Sequence, residues 1–414
     1  HDHKFDPIPM ADYYSLYGVF ASSVEPKDLP LLGAPEPTPD YLAYQKELKA
    51  LEQAVTDFEE KNKEELQKRN RKFRDDLRRL QSKVQKLKAT HPGAPPQAMV
   101  LVDAPQPVQP VVFLRGNPNN RGPAVPRQFL EVLSPQPRKP FAEGSGRLEL
   151  ARAIASKDNP LTARVMVNRV WQYHFGRGLV RTPGDFGLRG DPPTHPGLLD
   201  WLASSFVEGG WSVKRLHKTI LLSATYQQGC EAGAESQAAD PENRLLSHQN
   251  RQRLDFEAMR DSLLWASGRL DPKAGGAAVD VTTAPFSGRR SVYGFIDRQN
   301  LPGLFRAFDF ASPDTSTAQR HVTTVPQQAL FLMNAPFVVA QAQALANRPD
   351  VAAREATGER ITYLYRLLFG RPPDAEELAL GRRFVASAPE EKLLGPWTKY
   401  CQVLLLSNEF VFVD

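Results

Sequence analysis

Apolar residues recur at helical spacing near the start of this chain of 414 residues. In the stretch ADYYSLYGVFASS, Tyr13, Leu16, Tyr17 and Phe20 are three or four residues apart. This spacing places their side chains on one face of a predicted helix. The connector EPKDLPLLGAPEPTPD follows and completes a first segment, residues 1–40, because a run so rich in proline cannot form a helix interior.

Residues 41–92 carry a heptad-like pattern in which apolar side chains alternate at spacings of four and three. The two runs are Tyr44, Leu48, Leu51, Val55 and Phe58, and then Phe73, Leu77, Leu80, Val84 and Leu87. This pattern predicts a long coiled-coil helix, or a helical hairpin broken near Asn62 or Asn70. The other faces carry charges of both signs, as solvated helix faces do, so we expect no nucleic-acid binding despite the basic patch KRNRKFRDDLRR.

Residues 93–145 are rich in Pro, Gly, Asn and Arg and contain one strand-like run, Val108 to Leu114. We predict an extended linker there and a multi-helix domain over residues 146–414. In that domain Asn159 and Pro160 should begin a helix that Gly176 ends. Other helices are predicted at GRLELARAIAS, HPGLLDWLASSFVEGG, SVKRLHKTILLSATYQQ, DFEAMRDSLLWASG, VPQQALFLMNAPFVVAQAQALA, EATGERITYLYRLLFG, PDAEELALGRRFVASA and PWTKYCQVLLLS.

The fold class that follows is mainly α, with short irregular β segments such as a strand pair around SVYGFIDR. The chain is too long for one ordinary core, since single cores stop growing at roughly 250–300 residues. Its net charge of +5 is modest, and no apolar run approaches a membrane span. The two cysteines, Cys230 and Cys401, cannot form a metal site of cysteine spacing, and their disulfide state is left open.

Several stretches of the C-terminal domain form a more specific pattern. They are NPLTARVMVNRVWQYHFG, DPENRLLS, RQRLDFEAMRDSLL and TTVPQQALFLMNAPFVVAQAQALA. Together they resemble the PSD-type C-terminal domain, of unknown function, of the planctomycete cytochrome-associated proteins, over about residues 146–414. In that family a preceding PSCyt-type domain ends in the haem-attachment motif Cys-x-x-Cys-His, and HDHKFDPIPMADYYSLYGVF resembles the continuation of that motif from its histidine onward.

The resemblance implies that residues 1–40 are the C-terminal remnant of a haem-c-bearing domain. His1 would then be the axial ligand of the iron if the two cysteines lie upstream, with Asp2 and His3 in the surrounding shell. Without those cysteines we expect no haem c in this chain. Alternatively, if residue 1 is a true N-terminus, its amine and the rings of His1 and His3 suit Cu(II).

Other candidate residues lie in the C-terminal domain. His174 is close to a helix end, and Asp185 and His195 lie in loops dense with Gly and Pro that hold polar side chains rigidly. These are weak catalytic candidates, since a hydrogen-bonded structural histidine is the more common case. His217 borders an apolar face and is expected to be a buried, satisfied histidine. The chain has no phosphate-binding glycine loop, no G-x-S-x-G elbow and no zinc motif.

Two functions are expected from the resemblance and the residues. The first is a periplasmic or extracellular protein linked to a c-type cytochrome, which exchanges electrons with a redox partner protein. The alternative is a non-catalytic scaffold or surface protein whose helical domain binds other proteins or polysaccharide, with oligomers formed through the coiled coil. A third hypothesis, a hydrolase, would use His174, His195 and Asp185.

Overall fold

The computed structural model describes residues 2–26, 28–68, 70–297, 301–389 and 394–413. About 50% of the chain is helical, in 18 α-helices, and the six strands among the described residues have only two to four residues each. The predicted mainly α class is confirmed. The chain divides into two compact units, His1–Ser156 and Lys157–Asp414.

The first unit contains five helices and two strand pairs among its described residues. In chain order they are α1 Met10–Ala21, β1 Ser23–Val24, α2 Pro39–Lys61, α3 Lys63–Gln67, α4 Arg71–Thr90, β2 Val102–Asp103, β3 Val111–Phe113, β4 Arg121–Ala124 and α5 Arg147–Ile154. Strand β1 pairs antiparallel with β2, and β3 pairs antiparallel with β4. The strand-like run predicted within residues 93–145 is thus one arm of a small hairpin.

Helix α1 forms where it was predicted, but most of its predicted apolar face is exposed. Tyr13, Tyr17 and Phe20 are exposed, whereas Tyr14 is buried against Val112 and Val125. The buried face is the one on which the 93–145 segment lies. A Cβ added to Gly18 would come within 2.5 Å of Pro110 Cγ, so α1 requires glycine at this crossing.

A buried ion pair fixes the same segment to α1. Asp12 is fully buried, and its Oδ1 accepts a hydrogen bond from the Arg138 guanidinium. Its Oδ2 accepts the backbone N–H of Glu131 at 2.7 Å. Both carboxylate oxygens are therefore satisfied, as a charge in this position requires.

The heptad-like region is a helical hairpin, the second of the two predicted alternatives. The breaks fall at Asn62 and just before Arg71, where Asn70 Oδ1 accepts the N–H of Lys72 at 3.2 Å. Helices α2 and α4 pack against each other, and none of the ten apolar residues of the pattern is exposed. Lys88 Nζ lies 3.2 Å from Glu52 Oε1 across the pair.

The second unit contains thirteen helices and one strand pair among its described residues. In order they are α6 Pro160–Phe175, α7 Pro196–Glu208, α8 Val213–Leu221, α9 Ala234–Ala239, β5 Gln252–Arg253, α10 Phe256–Ala266, α11 Gly303–Ala307, α12 Pro326–Asn334, α13 Pro336–Ala346, α14 Pro349–Ala352, α15 Thr357–Phe369, α16 Ala375–Ser387, α17 Pro396–Leu406, α18 Asn408–Val411 and β6 Phe412–Val413. Strand β5 pairs antiparallel with β6, so the C-terminal end of the chain lies beside residues 252–253.

The unit has two apolar cores. The smaller core lies between α6, α7 and α8 and contains Trp171, Phe175, Phe206 and Ile220. The larger core is formed by α10 to α15, α17 and α18. Cys401 of α17 is fully buried in it, and burial raises the pKa of its thiol to about 12. Both cysteines are free thiols, which answers the question that the sequence left open.

Three predicted elements of this unit need correction. The single helix predicted at VPQQALFLMNAPFVVAQAQALA is two helices, bent by 49° at Ala335, because Pro336 has no N–H to continue the first one. The helix predicted to reach Gln228 ends at Leu221. Around SVYGFIDR, Ser291–Tyr293 forms a 3₁₀ turn, and the predicted strand pair is reduced to an isolated bridge between Val279 and Gly294.

Within the described part of the chain, no helix by itself has the length and apolar composition needed to cross a membrane, and only the bent pair α12–α13 meets that test jointly.

Candidate functional site

The C-terminal end of α6 forms one wall of a cleft of about 760 Å³ in the Lys157–Asp414 unit. The other walls come from residues 241–255, from residues 317–322 and from Val413 of β6. Three stretches that are far apart in the sequence therefore meet here. The cleft is the site that we consider first, because large concave sites with convergent polar groups are the usual place of ligand binding.

Amide side chains hold the end of α6. The last carbonyls of a helix have no partner within the helix. Here the carbonyl of His174 accepts hydrogen bonds from Gln252 Nε2 at 2.7 Å and Gln249 Nε2 at 3.3 Å. The carbonyl of Phe175 accepts one from Asn250 Nδ2 at 3.0 Å. Gly176 ends the helix as predicted, with a φ of 77° that favours glycine.

One of these amides has an acceptor without a donor. Gln249 is 7% exposed, and its Oε1 is buried without a hydrogen-bond partner among the described residues. A buried acceptor left in this state costs about 1–3 kcal/mol. An unpaired buried amide oxygen on the wall of a cleft is a place for a donor, which an ordered water or a hydroxyl or N–H of a ligand supplies.

Two histidines meet at the same end of α6. His174 Nε2 lies 2.7 Å from His217 Nδ1 of α8, and the two rings meet edge to face at 5.0 Å. The Tyr226 ring packs edge to face against His174 at 5.5 Å. Burial, and secondarily the neighbouring His217, lower the pKa of His174 from its ordinary value. His174 is therefore a neutral base at pH 7 that shares a hydrogen bond with a second imidazole.

The cleft is rich in arginine. Five arginines and two carboxylates line it. Three of the arginines are engaged: Arg320 donates to Glu257 at 2.7 and 2.9 Å, Arg253 donates to Gln328, and Arg251 lies 2.9 Å from Glu231. The hydrogen bonds with Glu257 raise the pKa of Arg320.

The other two arginines are Arg169 and Arg177. Neither forms a hydrogen bond or ion pair with the described residues. Both are exposed at the end of α6, close in sequence to Tyr173, whose side chain is 79% exposed. Arg177 does act on Glu242, whose pKa is lowered first by the hydrogen bond from Arg181 and further by the charge of Arg177. The rim of the cleft therefore offers two exposed cations, one of them near a carboxylate, and an exposed aromatic ring.

The other candidates from the sequence lie elsewhere. Asp185 is exposed, and its Oδ1 accepts the N–H of Gly187 at 2.9 Å. His195 immediately precedes α7, with Nδ1 3.0 Å from Thr194 Oγ1. Neither residue lines the cleft, so the structure does not bring them together with His174.

At the other end of the chain, His1 lies outside the described residues. His3 Nδ1 is 3.1 Å from both the amide nitrogen and Oδ2 of Asp6. Asp2 Oδ1 accepts the N–H of Met10, the first residue of α1, at 2.8 Å. Among the described residues there is no group of three or more His, Cys, Asp and Glu side chains placed to hold a metal ion.

Sequence reasoning missed the partner of His174 and the amides of the cleft. His217 was expected to be a buried, satisfied histidine at the border of an apolar face, whereas it is partly buried and lies 43 residues from His174 on another helix. Gln249 and Gln252 belong to no motif. A local signal existed only for the helix end itself, where Gly176 follows the last helical residue.

Comparison with known proteins places the chain in a family. No curated protein and no solved structure matches it. The family model of PSD1, described as "Protein of unknown function (DUF1553)", matches residues 146–385, which include most of the cleft. This match covers more than half of the chain, and the protein is therefore a member of the PSD1 family of proteins of unknown function.

Proposed function

We propose that the Lys157–Asp414 unit binds an acidic polysaccharide in the cleft at the end of α6. The observation that carries this proposal is the pairing of two exposed cations that form no hydrogen bond with a described residue, Arg169 and Arg177, with the unpartnered buried acceptor of Gln249. Guanidinium groups bind carboxylate and sulfate groups through charge-assisted hydrogen bonds. The Gln249 oxygen requires a donor, and a sugar hydroxyl is a donor.

The rest of the rim supports the same class of ligand. The exposed ring of Tyr173 offers a flat apolar surface on which the C–H face of a sugar can pack. A cleft of about 760 Å³ is larger than one monosaccharide needs and is partly open, which suits a segment of a longer polymer. This binding role is a more specific form of the scaffold function expected from the sequence, because it names the class of ligand.

Nucleic acid is a less suitable ligand. Proteins that bind single strands combine a basic groove with several aromatic side chains on which successive bases stack. Here Tyr173 is the exposed ring of the lining, while Phe175 is fully buried and Tyr226 packs against His174 and Phe175. The amides of residues 249–252 are held on backbone carbonyls and do not form a series of stacking platforms.

A binding panel tests this proposal. We expect the protein to bind alginate or chondroitin sulfate at least about tenfold more tightly than neutral dextran, a difference of about 1.4 kcal/mol. Binding should weaken as salt is raised, because exposed charges are screened. Biolayer interferometry with immobilised polymers and a single-stranded DNA oligomer measures this. Equal binding of dextran, or tighter binding of the DNA, would contradict the proposal.

A second proposed function is favoured by the fold of residues 2–10. We propose that the chain continues a haem-c-bearing segment and acts outside the cytoplasm, exchanging electrons with a partner protein. Support comes from the way that Asp2 and His3 close a hydrogen-bonded loop onto α1, with His3 N–H donating to the carbonyl of Ile8 at 2.9 Å. We also propose that the apolar face of the heptad-like region is covered by the packing of α2 against α4 within one chain, and not by helices of a second chain.

In a c-type site, two thiols next to the axial histidine carry the covalent links to the haem. Cys230 and Cys401 lie in the other unit and are not part of a Cys-x-x-Cys-His motif, so this proposal requires two thiols before His1. We expect the natural protein, purified from its source, to show a Soret band and sharpened visible bands on reduction with dithionite. A featureless visible spectrum of that protein would remove the redox role and leave the binding role unaffected.

A further inference from the structure

We infer that the cleft takes up one proton with its anionic ligand, and that the His174–His217 pair holds this proton. The inference rests on the proposed polysaccharide binding and adds a proton-dependent anion subsite to it. It is based on the geometry of the two rings, on the place of His174 in the lining of the cleft and on the partial burial of both histidines.

The 2.7 Å contact between His174 Nε2 and His217 Nδ1 requires one proton between these nitrogens. In the neutral pair the second proton is on one of the two outer nitrogens, His174 Nδ1 or His217 Nε2, and the other outer nitrogen is a bare acceptor. A third proton makes both outer nitrogens donors and leaves the central hydrogen bond intact. A fourth would place two protons between the rings and break the contact.

The outer nitrogens are not engaged within the protein. No hydrogen bond from a described residue reaches His174 Nδ1 or His217 Nε2. His174 lines the cleft, and its backbone carbonyl anchors the two glutamines of the opposite wall. A ligand oxygen in the cleft can therefore accept a hydrogen bond from the protonated pair without displacing a protein contact.

Burial and the neighbouring imidazole favour the neutral form of His174 until an anion arrives. Charged and titratable groups nearby are Arg169, Tyr173 and Arg177 at the end of α6, Lys214, Arg215 and Lys218 on α8, Tyr226, and Glu242, His248, Arg251, Arg253 and Asp255 from the facing segment. Most are cationic, and Glu242 is bound to Arg181. Burial, and secondarily His217, lower the pKa of His174, so without a ligand His174 favours its neutral form.

An anionic ligand shifts the protonation equilibrium of the histidine pair toward the charged form. A carboxylate or sulfate beside the pair favours its charged form and raises its pKa. By linkage, the same interaction makes the affinity for the anion rise as the pH falls toward the pKa of the complex. Because each site takes up at most one proton, its affinity for the anion can rise by at most about tenfold for each unit by which the pH falls.

Isothermal titration calorimetry tests this directly. Alginate is titrated into the protein at a pH of about 6.5, the ordinary pKa of histidine, in two buffers of different ionisation enthalpy. The carboxylates of alginate stay ionised at this pH, so proton uptake reports on the protein. We expect uptake of about half a proton to one proton per site. His217→Asn should bring uptake close to zero, and the control His195→Asn should leave it unchanged, because His195 lies outside the cleft with its Nδ1 3.0 Å from Thr194 Oγ1.

The outcomes separate this inference from the proposed function. Binding of alginate without proton uptake, or equal uptake in His174→Asn, His217→Asn and wild type, would overturn the inference and leave polysaccharide binding in place. If His217→Asn does not fold, as judged by circular dichroism, His217→Gln replaces it.

If no polysaccharide binds, the proposed function fails and inorganic sulfate becomes the probe. The ring protons of His174 and His217 are then followed by NMR as the pH is changed, with and without sulfate. A pKa of the pair that rises with sulfate supports the inference. A pKa that sulfate does not change overturns it.

Discussion

Replacing Arg260 with methionine is expected to lower the free energy of unfolding of the Lys157–Asp414 unit by about 3–5 kcal/mol. Arg260 of α10 is 1% exposed. Its guanidinium donates to the carbonyls of Arg289 at 3.0 Å and Ser287 at 2.5 Å, and to Ser291 Oγ at 3.2 Å. Methionine fills similar space but leaves these buried acceptors without a donor, and the loop from 287 to 291 loses its attachment to α10.

Urea unfolding followed by circular dichroism measures this loss. Arg269→Met is the matched control, because Arg269 is exposed and makes one long hydrogen bond, 3.4 Å to the carbonyl of Ala340. The control should lose less than about 1 kcal/mol. If Arg260→Met were no more destabilised than Arg269→Met, the hydrogen bonds of Arg260 would not be what holds the loop.

Much of the secondary structure could be predicted from local signals. Asn159 accepts the N–H of Leu161 at 3.0 Å, Pro160 occupies the first turn of α6, and Gly176 ends it, all as expected from the sequence. These features depend on residues within a few positions of the helix end. The two breaks of the hairpin, at Asn62 and before Arg71, were visible for the same reason.

The face that a helix buries was not predictable in the same way. In α1, Tyr13 and Tyr17 belong to the apolar stripe but are exposed, and Tyr14 is buried instead. The covering residues, among them Pro110 and Val112, follow about 90 positions later, in a segment whose path no local pattern specifies. The full burial of Asp12 could not be predicted for the same reason, because its partner Arg138 also comes from that distant segment.

The candidate site was predictable only in part. His174 was identified from its place near a helix end, yet its importance here comes from His217 of α8 and from amides of residues 249–252. Gln249 carries no sequence signal at all. The cleft is a product of tertiary packing, so its residues could be recognised only after the three stretches had been brought together.

The second large effect is expected at the rim of the cleft. Changing Arg169 and Arg177 together to glutamate should weaken binding of an acidic polysaccharide by about 100-fold, or about 2.7 kcal/mol. Neither arginine forms a hydrogen bond or a close ion pair with a described residue, and replacing Arg177 removes only a longer-range attraction to Glu242. The loss has two sources, which are the removed charge-assisted hydrogen bonds and the new repulsion between glutamate and the anion.

A control variant with the same change of net charge shows whether the loss of affinity is specific to the cleft. Arg366 of α15 and Arg383 of α16 are exposed and do not line the cleft. Their double change to glutamate alters the net charge by the same amount. Non-specific attraction between a basic protein and an acidic polymer would be reduced equally in both variants, whereas binding in the cleft would be reduced only in the first.

Titration of one acidic polymer, alginate, against wild type and these two variants at about 0.15 M salt is the most direct measurement of the central claim. The account predicts a dissociation constant that rises about 100-fold in the Arg169→Glu, Arg177→Glu variant and stays within about threefold of wild type in the Arg366→Glu, Arg383→Glu variant. Equal dissociation constants for the two variants would contradict it, because the cleft at the end of α6 would then not be the binding site.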